Sequence, residues 1–124
     1  MNQLLSDKQM IHGFMKEEIQ NGIAEGNYEY GVKVGKWVLT YSDRIEEGEF
    51  KGKYRVGQWI IKNFSDDLYH IGQYDDKNLK TGDWMICQNQ YSESYIRSTY
   101  HRGKKISEKK VEQMQISTIQ LKLE

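Results

Sequence analysis

One pattern recurs three times between Glu25 and Trp84: a Gly-x-aromatic triplet followed, nine or ten residues after its glycine, by Gly-x-Trp. Gly26-x-Tyr28 leads to Gly35-x-Trp37, and Gly48-x-Phe50 leads to Gly57-x-Trp59. Gly72-x-Tyr74 leads, with one extra residue, to Gly82-x-Trp84. All three tryptophans of the chain occupy the same position of this pattern. Self-similarity at about 20–25 residues marks stacked supersecondary units, each of which buries its apolar face only against its neighbours. The units fall at 23–44, 45–67 and 68–92, with a degenerate opening unit at 1–22 and a degenerate closing unit at 93–124, all within one domain of 124 residues.

From Ile23 onward the hydrophobic period is two, as Tyr28 and Tyr30, then Trp37, Leu39 and Tyr41, then Trp59 and Ile61 show. Alternation of this kind is what a half-buried antiparallel strand requires. Residues 31–35, 52–57 and 75–82 supply Gly, Asn or Asp where a tight turn needs positive φ, and turns at the opposite end start near Tyr41, Phe64 and Asn89. The expected fold is all-β, a single antiparallel meander of stacked hairpins. Its core is the repeat aromatics Tyr28, Trp37, Phe50, Trp59, Tyr74 and Trp84. The glycine of each triplet leaves room for the large ring of a neighbouring unit to lie across the backbone, and the tryptophans form a ladder down one face.

The ends depart from the pattern. Gly13 is followed by Met15 in the tryptophan position, which places strands of an opening unit at 4–11 and 14–19. A short N-terminal helix competes with that reading, because Ile11, Phe14, Met15 and Ile19 also lie at helical spacing behind Ser6 and Asp7. Gly13 counts against the helix by about 1 kcal/mol relative to Ala. At the other end Ser98-x-Tyr100 opens a unit without tryptophan, with a turn at 101–105. The tail beyond Val111 alternates weakly, as closing strands would, although 108–114 alone would pass as helical.

Eighteen acidic and eighteen basic side chains cancel, which argues against a broad basic face for nucleic acid, and nine Tyr, three Phe and three Trp are too many aromatics for a disordered chain. Cys87 is the single cysteine, no run of 18 apolar residues occurs, and the first residues lack an apolar stretch of signal-peptide length. A cytoplasmic protein is expected. His12, His70, His101 and Cys87 are too widely separated for the short spacings of zinc sites, and no nucleophile elbow, phosphate loop or His-Glu-x-x-His is present. The pairs Glu17-Glu18, Glu46-Glu47, Asp66-Asp67 and Asp75-Asp76 read as solvated turns and edge gatekeepers. No catalytic residue, metal or cofactor is expected. Two charged groups are candidate partner contacts: Asp66, Asp67, Asp75, Asp76 and Asp83, gathered around the third unit, for a basic protein surface, and Arg102, Lys104, Lys105, Lys109 and Lys110 for an acidic protein face, anionic lipid or nucleic acid.

The segment Glu25-Gly-Asn-Tyr-Glu-Tyr-Gly-Val-Lys-Val-Gly-Lys-Trp37 resembles the variant MORN repeat, whose units read roughly Gly-x-Tyr-x-x-Gly-x-Lys-x-Gly-x-Trp; residues 47–59 and 71–84 match it again. The resemblance implies a single-layer or lightly curled sheet of stacked hairpins. It also implies antitoxin-like or scaffolding roles, and no active-site residue, because the motif is structural. The third unit departs from it by an extra residue and by Asp75-Asp76, which marks its turn for a specialised contact. The expected function is a non-enzymatic interaction module of antitoxin, immunity or inhibitor type that neutralises a partner protein by occlusion, over a standard interface of about 1,200–2,000 Å². The alternatives are a scaffold subunit of a larger assembly, or a peripheral binder of anionic lipid through 102–110.

Overall fold

The computed structural model describes residues 11–89 and 94–112. Nine strands follow one another: β1 (Gly13–Ile19), β2 (Gly22–Glu29), β3 (Val32–Tyr41), β4 (Arg44–Lys51), β5 (Tyr54–Asn63), β6 (Tyr69–Tyr74), β7 (Lys80–Cys87), β8 (Ser94–His101) and β9 (Lys104–Glu112). They form one antiparallel sheet in sequence order, open because β1 and β9 do not pair. The all-β meander expected from the repeat is the observed architecture. Among the described residues no helix is long and apolar enough to cross a membrane.

The repeat encodes a bulge. In β2 and β3 the pairs Glu25↔Val38 and Asn27↔Val34 leave Gly26 alone opposite Gly35, Lys36 and Trp37. The same shift occurs around Gly48, between Glu47↔Ile60 and Glu49↔Val56, and around Gly72, between Ile71↔Met85 and Gln73↔Thr81. The surplus residues need a kink, and Gly35, Gly57 and Gly82 supply it at φ of 66°, 67° and 69°. Each bulge lays the indole back across the triplet glycine, where a Cβ on Gly26, Gly48 or Gly72 would overlap the ring of Trp37, Trp59 or Trp84. A bulge disrupts the ladder locally, and the indole N–H takes up a backbone carbonyl there. Trp37 Nε1 donates to Asn27 O (3.1 Å), Trp59 Nε1 to Glu49 O (3.2 Å) and Trp84 Nε1 to Gln73 O (3.1 Å).

Several expectations are corrected by this geometry. The ring crossing each triplet glycine belongs to its own unit and not to a neighbouring one. Residues 31–35 and 52–57 are mostly strand: the turns are Tyr30-Gly31 and Gly52-Lys53, and the later glycines of both stretches serve the bulges. The helical reading of the opening segment fails over β1, where Met15 faces Gly26 as Trp37 faces Gly48. Alternation along a sheet edge outweighs the chance helical spacing, while the strand expected at 4–11 lies outside the described residues except for Ile11. The helical reading of 108–114 likewise fails through Glu112, and the tail beyond it lies outside the described residues.

A single layer has no second sheet to cover its aromatics, yet Trp37, Trp59 and Trp84 are at most 1% exposed. Neighbouring rings close over them. An edge-to-face series runs Tyr28, Trp37, Phe50, Trp59, Tyr74, Trp84 and Tyr100, with centroids 5.2–6.4 Å apart. Ala24, Leu39 and Ile61 extend this buried set on the same face. The six repeat aromatics therefore build one continuous core, and each ring pair adds about 0.5–1.5 kcal/mol beyond its area burial.

Candidate interaction surface

Antiparallel order sends alternate turns to opposite edges of the sheet. The β2–β3, β4–β5, β6–β7 and β8–β9 turns line one edge and are tied together by backbone bonds. Gly31 N donates to Ile11 O (3.0 Å), Gly52 N to Lys33 O (2.8 Å) and Gly103 N to Lys80 O (2.8 Å). The third turn is longer and replaces this tie with a side chain. Asn78, at φ 60°, accepts from Arg55 N (3.0 Å) through Oδ1 and donates to Lys53 O (3.0 Å) through Nδ2. Along this edge stand exposed apolar side chains: Tyr30 (76% exposed), Val32, Tyr54, Leu79 and, just past the last turn, Ile106. Successive turns are two strands apart, about 10 Å. The row therefore spans about 30 Å.

The sequence-predicted acids do not come together. Asp66 and Asp67 lie in the β5–β6 turn on one edge and Asp75 and Asp76 in the β6–β7 turn on the other, while Asp83 projects from the middle of β7. Most are occupied within the protein. Asp75 Oδ1 accepts from Lys77 N (2.9 Å) and Leu79 N (3.0 Å), and these bonds hold its carboxyl below the usual range. The extra residue of the third unit is thus absorbed by an Asp cap. Asp66 accepts from Leu68 N (2.9 Å), Asp67 sits 2.9 Å from Lys62 Nζ, and Asp83 accepts from Thr99 Oγ1 (2.7 Å). Among the described residues, Asp76 alone of these five makes none of these bonds or ion pairs.

The basic stretch is divided as well. Arg102 is in the β8–β9 turn at φ 51°, and β9 alternates its lysines between the two faces. Lys105 pairs with Glu108 at 2.7 Å and Lys110 lies 3.9 Å from Glu112. Alternation and local pairing make β9 a charged edge strand and not a single basic patch.

On the tryptophan face each unit sets one cation above its rings. Lys33 lies 5.1 Å from the Trp37 ring centre, Arg55 4.9 Å from Trp59 and Lys80 4.7 Å from Trp84. Glu46, 5% exposed, receives Arg44 Nε at 2.6 Å and Arg55 Nη2 at 3.2 Å, so two guanidiniums share one buried carboxylate. Two flanking phenols are held protonated: Tyr74 is pushed up to about 12 by burial and Glu46, and Tyr28 to about 12 by burial and its 2.7 Å bond to Glu17. Burial, then Lys80, pushes the His70 imidazole down, with Asp66 opposing, while Nε2 lies 3.0 Å from Asn63 Nδ2. Cys87 is buried, which raises its thiol. Among the described residues no three His, Cys, Asp or Glu side chains converge as a metal site.

The exposed apolar edge was missed in the sequence because Tyr30 continues the period-two pattern of β2, while Tyr54 and Leu79 fall in the stretches 52–57 and 75–82 read as turns. Their turn positions, beside Gly31, Gly52 and Asn78, were the signal available. Neither the protein-family models nor the curated proteins include a match to this chain.

Proposed function

We propose that the protein is a non-enzymatic protein-binding module that covers part of a partner's surface. The observation that carries this reading is the row of Tyr30, Val32, Tyr54, Leu79 and Ile106 on one turn edge. Exposed apolar side chains that recur at successive turns of one edge offer an extended partner a series of contacts, and aromatic residues are enriched where protein partners meet. The turn-to-turn bonds hold this row in place before binding, which lowers the ordering cost of association. The resemblance to variant MORN repeats and the fixed, extended edge favour a neutralising protein of antitoxin or immunity type, acting by occlusion. No group on this edge needs to react for occlusion to work.

The test is affinity capture from host lysate at moderate salt, comparing wild type with a Tyr30→Ser, Tyr54→Ser double variant and with a variant in which Lys104, Lys105, Lys109 and Lys110 are replaced by Gln. One stoichiometric protein retained by the lysine variant and lost with the tyrosine variant supports the reading. Capture of lipid or nucleic acid alone, lost with the lysine variant, would overturn it.

A further inference from the structure

The three ladder cations are not equivalent. Each stands two residues before the bulge glycine of its unit. Lys33 is 3.5 Å from Glu17, and Arg55 is bound by Glu46. Lys80 has no carboxylate within ion-pair distance among the described residues, and its ammonium makes no hydrogen bond there; it lies over the Trp84 and Tyr100 rings, 4.7 and 5.1 Å from their centres. The repeat itself shows what is missing. Glu46 stands two residues before Gly48, whereas the matching position before Gly72 is His70.

A half-buried charge without a counter-charge is costly, and folded proteins normally supply one. Burial lowers the Lys80 ammonium below its usual range, Lys105 adds to this and Glu46 opposes it. Glu46 is already shared by Arg44 and Arg55, Lys105 is bound to Glu108, and His70 is held toward its neutral form. One positive charge is therefore left over above the buried Trp84 ring. It directly follows Leu79, a member of the exposed apolar edge.

Resting on the binding-module reading, we propose that Lys80, whose ammonium lies over the Trp84 and Tyr100 rings, receives the carboxylate of an Asp or Glu side chain of the partner protein. A single carboxylate balances the single free ammonium. A phosphate dianion would call for a second free cation, which Lys105 does not provide.

Three indole N–H resonances, one per unit, make the site readable by NMR. The probe is a capped peptide with a Glu-Leu-Glu core, compared with its Gln-Leu-Gln counterpart, inorganic phosphate, and vesicles of phosphatidylcholine and phosphatidylserine. The Trp84 resonance should shift saturably with the acidic peptide while those of Trp37 and Trp59 stay in place. Lys80→Met, with Lys80→Gln as a second variant should the first disturb the Trp37 and Trp59 signals, should weaken binding about tenfold or more. Lys80→Arg and Lys33→Met should retain it. Equal movement of all three indoles, or an unchanged Trp84 response after loss of Lys80, would overturn the assignment. An equal response to phosphate or vesicles would overturn the carboxylate as its occupant. A partner captured equally by wild type and Lys80→Met would reject this contact while leaving the module standing. A saturable Trp84 response in a protein that captures no protein partner would reject the module and keep the anion site.

Discussion

The β2–β7 region and the β8–β9 hairpin are built from the same opening triplet and packed differently. In the first, Gly26, Gly48 and Gly72 each oppose a bulged Gly-x-Trp and lie beneath its indole. In the second, Ser98 occupies the glycine position, faces Glu108, and the pairing runs without a shift from Ser94 to Thr99. No indole returns over Ser98. It is buried against Trp84 of the preceding strand, and its hydroxyl, although near Glu108, makes no hydrogen bond of good geometry. Glycine, bulge and tryptophan are thus one device: the missing Cβ admits the ring, the bulge turns the ring inward, and the indole N–H bonds a carbonyl at the bulge. Without the tryptophan the surplus shrinks from two residues to one, Ile106, between Thr99↔Ser107 and Tyr100↔Lys105, and β9 leaves Lys104 through Lys110 exposed. Charge on that strand discourages edge-to-edge pairing.

The contrast is broken most completely by removing the ring. Trp59→Ala should cost about 3–5 kcal/mol in denaturant unfolding, as deletion of a fully buried tryptophan does, and an unchanged midpoint would disprove the ladder. Gly48→Ala drives a methyl into the same ring, so a loss of about 3 kcal/mol is expected, at the upper end for overpacking. Gly57→Ala separates conformation from sterics. Nothing lies near its added Cβ, so only the left-handed backbone is strained, at about 1–2 kcal/mol. Were Gly57→Ala to exceed Gly48→Ala, the bulge and not the indole would dominate the unit.

Smaller effects sharpen the comparison. His70 replaces the carboxylate of the second unit, and its folded pKa lies below the ordinary 6.5. The folded protein resists protonation more than the unfolded chain does, so its contribution is complete above about pH 6.5 and declines as pH falls from there toward the lowered value. His70→Gln should flatten this part of the stability profile, measured by thermal melts between neutral and mildly acid pH. Persistence of the slope would assign it to another group. Ser98→Ala should remain within about 0.5 kcal/mol of wild type, since the serine position carries neither ring nor bulge. A loss as large as that of Gly48→Ala would mean that the closing hairpin uses the same device after all.

The repeat spacing alone determined the order and pairing of the strands: alternation sets the period, Gly and Asn mark the turns, and a recurrence at 22–25 residues admits little but stacked hairpins. It also named the core, because three tryptophans at one repeat position must lie in one row. What it left undecided were relations between residues distant along the chain. Which unit's ring crosses Gly26 depends on a register shift, and a shift is a property of two paired strands. The acids near residues 66–83 look clustered in one dimension, yet β6 carries Asp66 and Asp75 to opposite edges, and Asp75 is consumed by its own turn. Lys33, Arg55 and Lys80 are interchangeable in the repeat. Only the folded sheet, which brings Glu17 and Glu46 to the first two and His70 near the third, decides which cation is left with a charge to share.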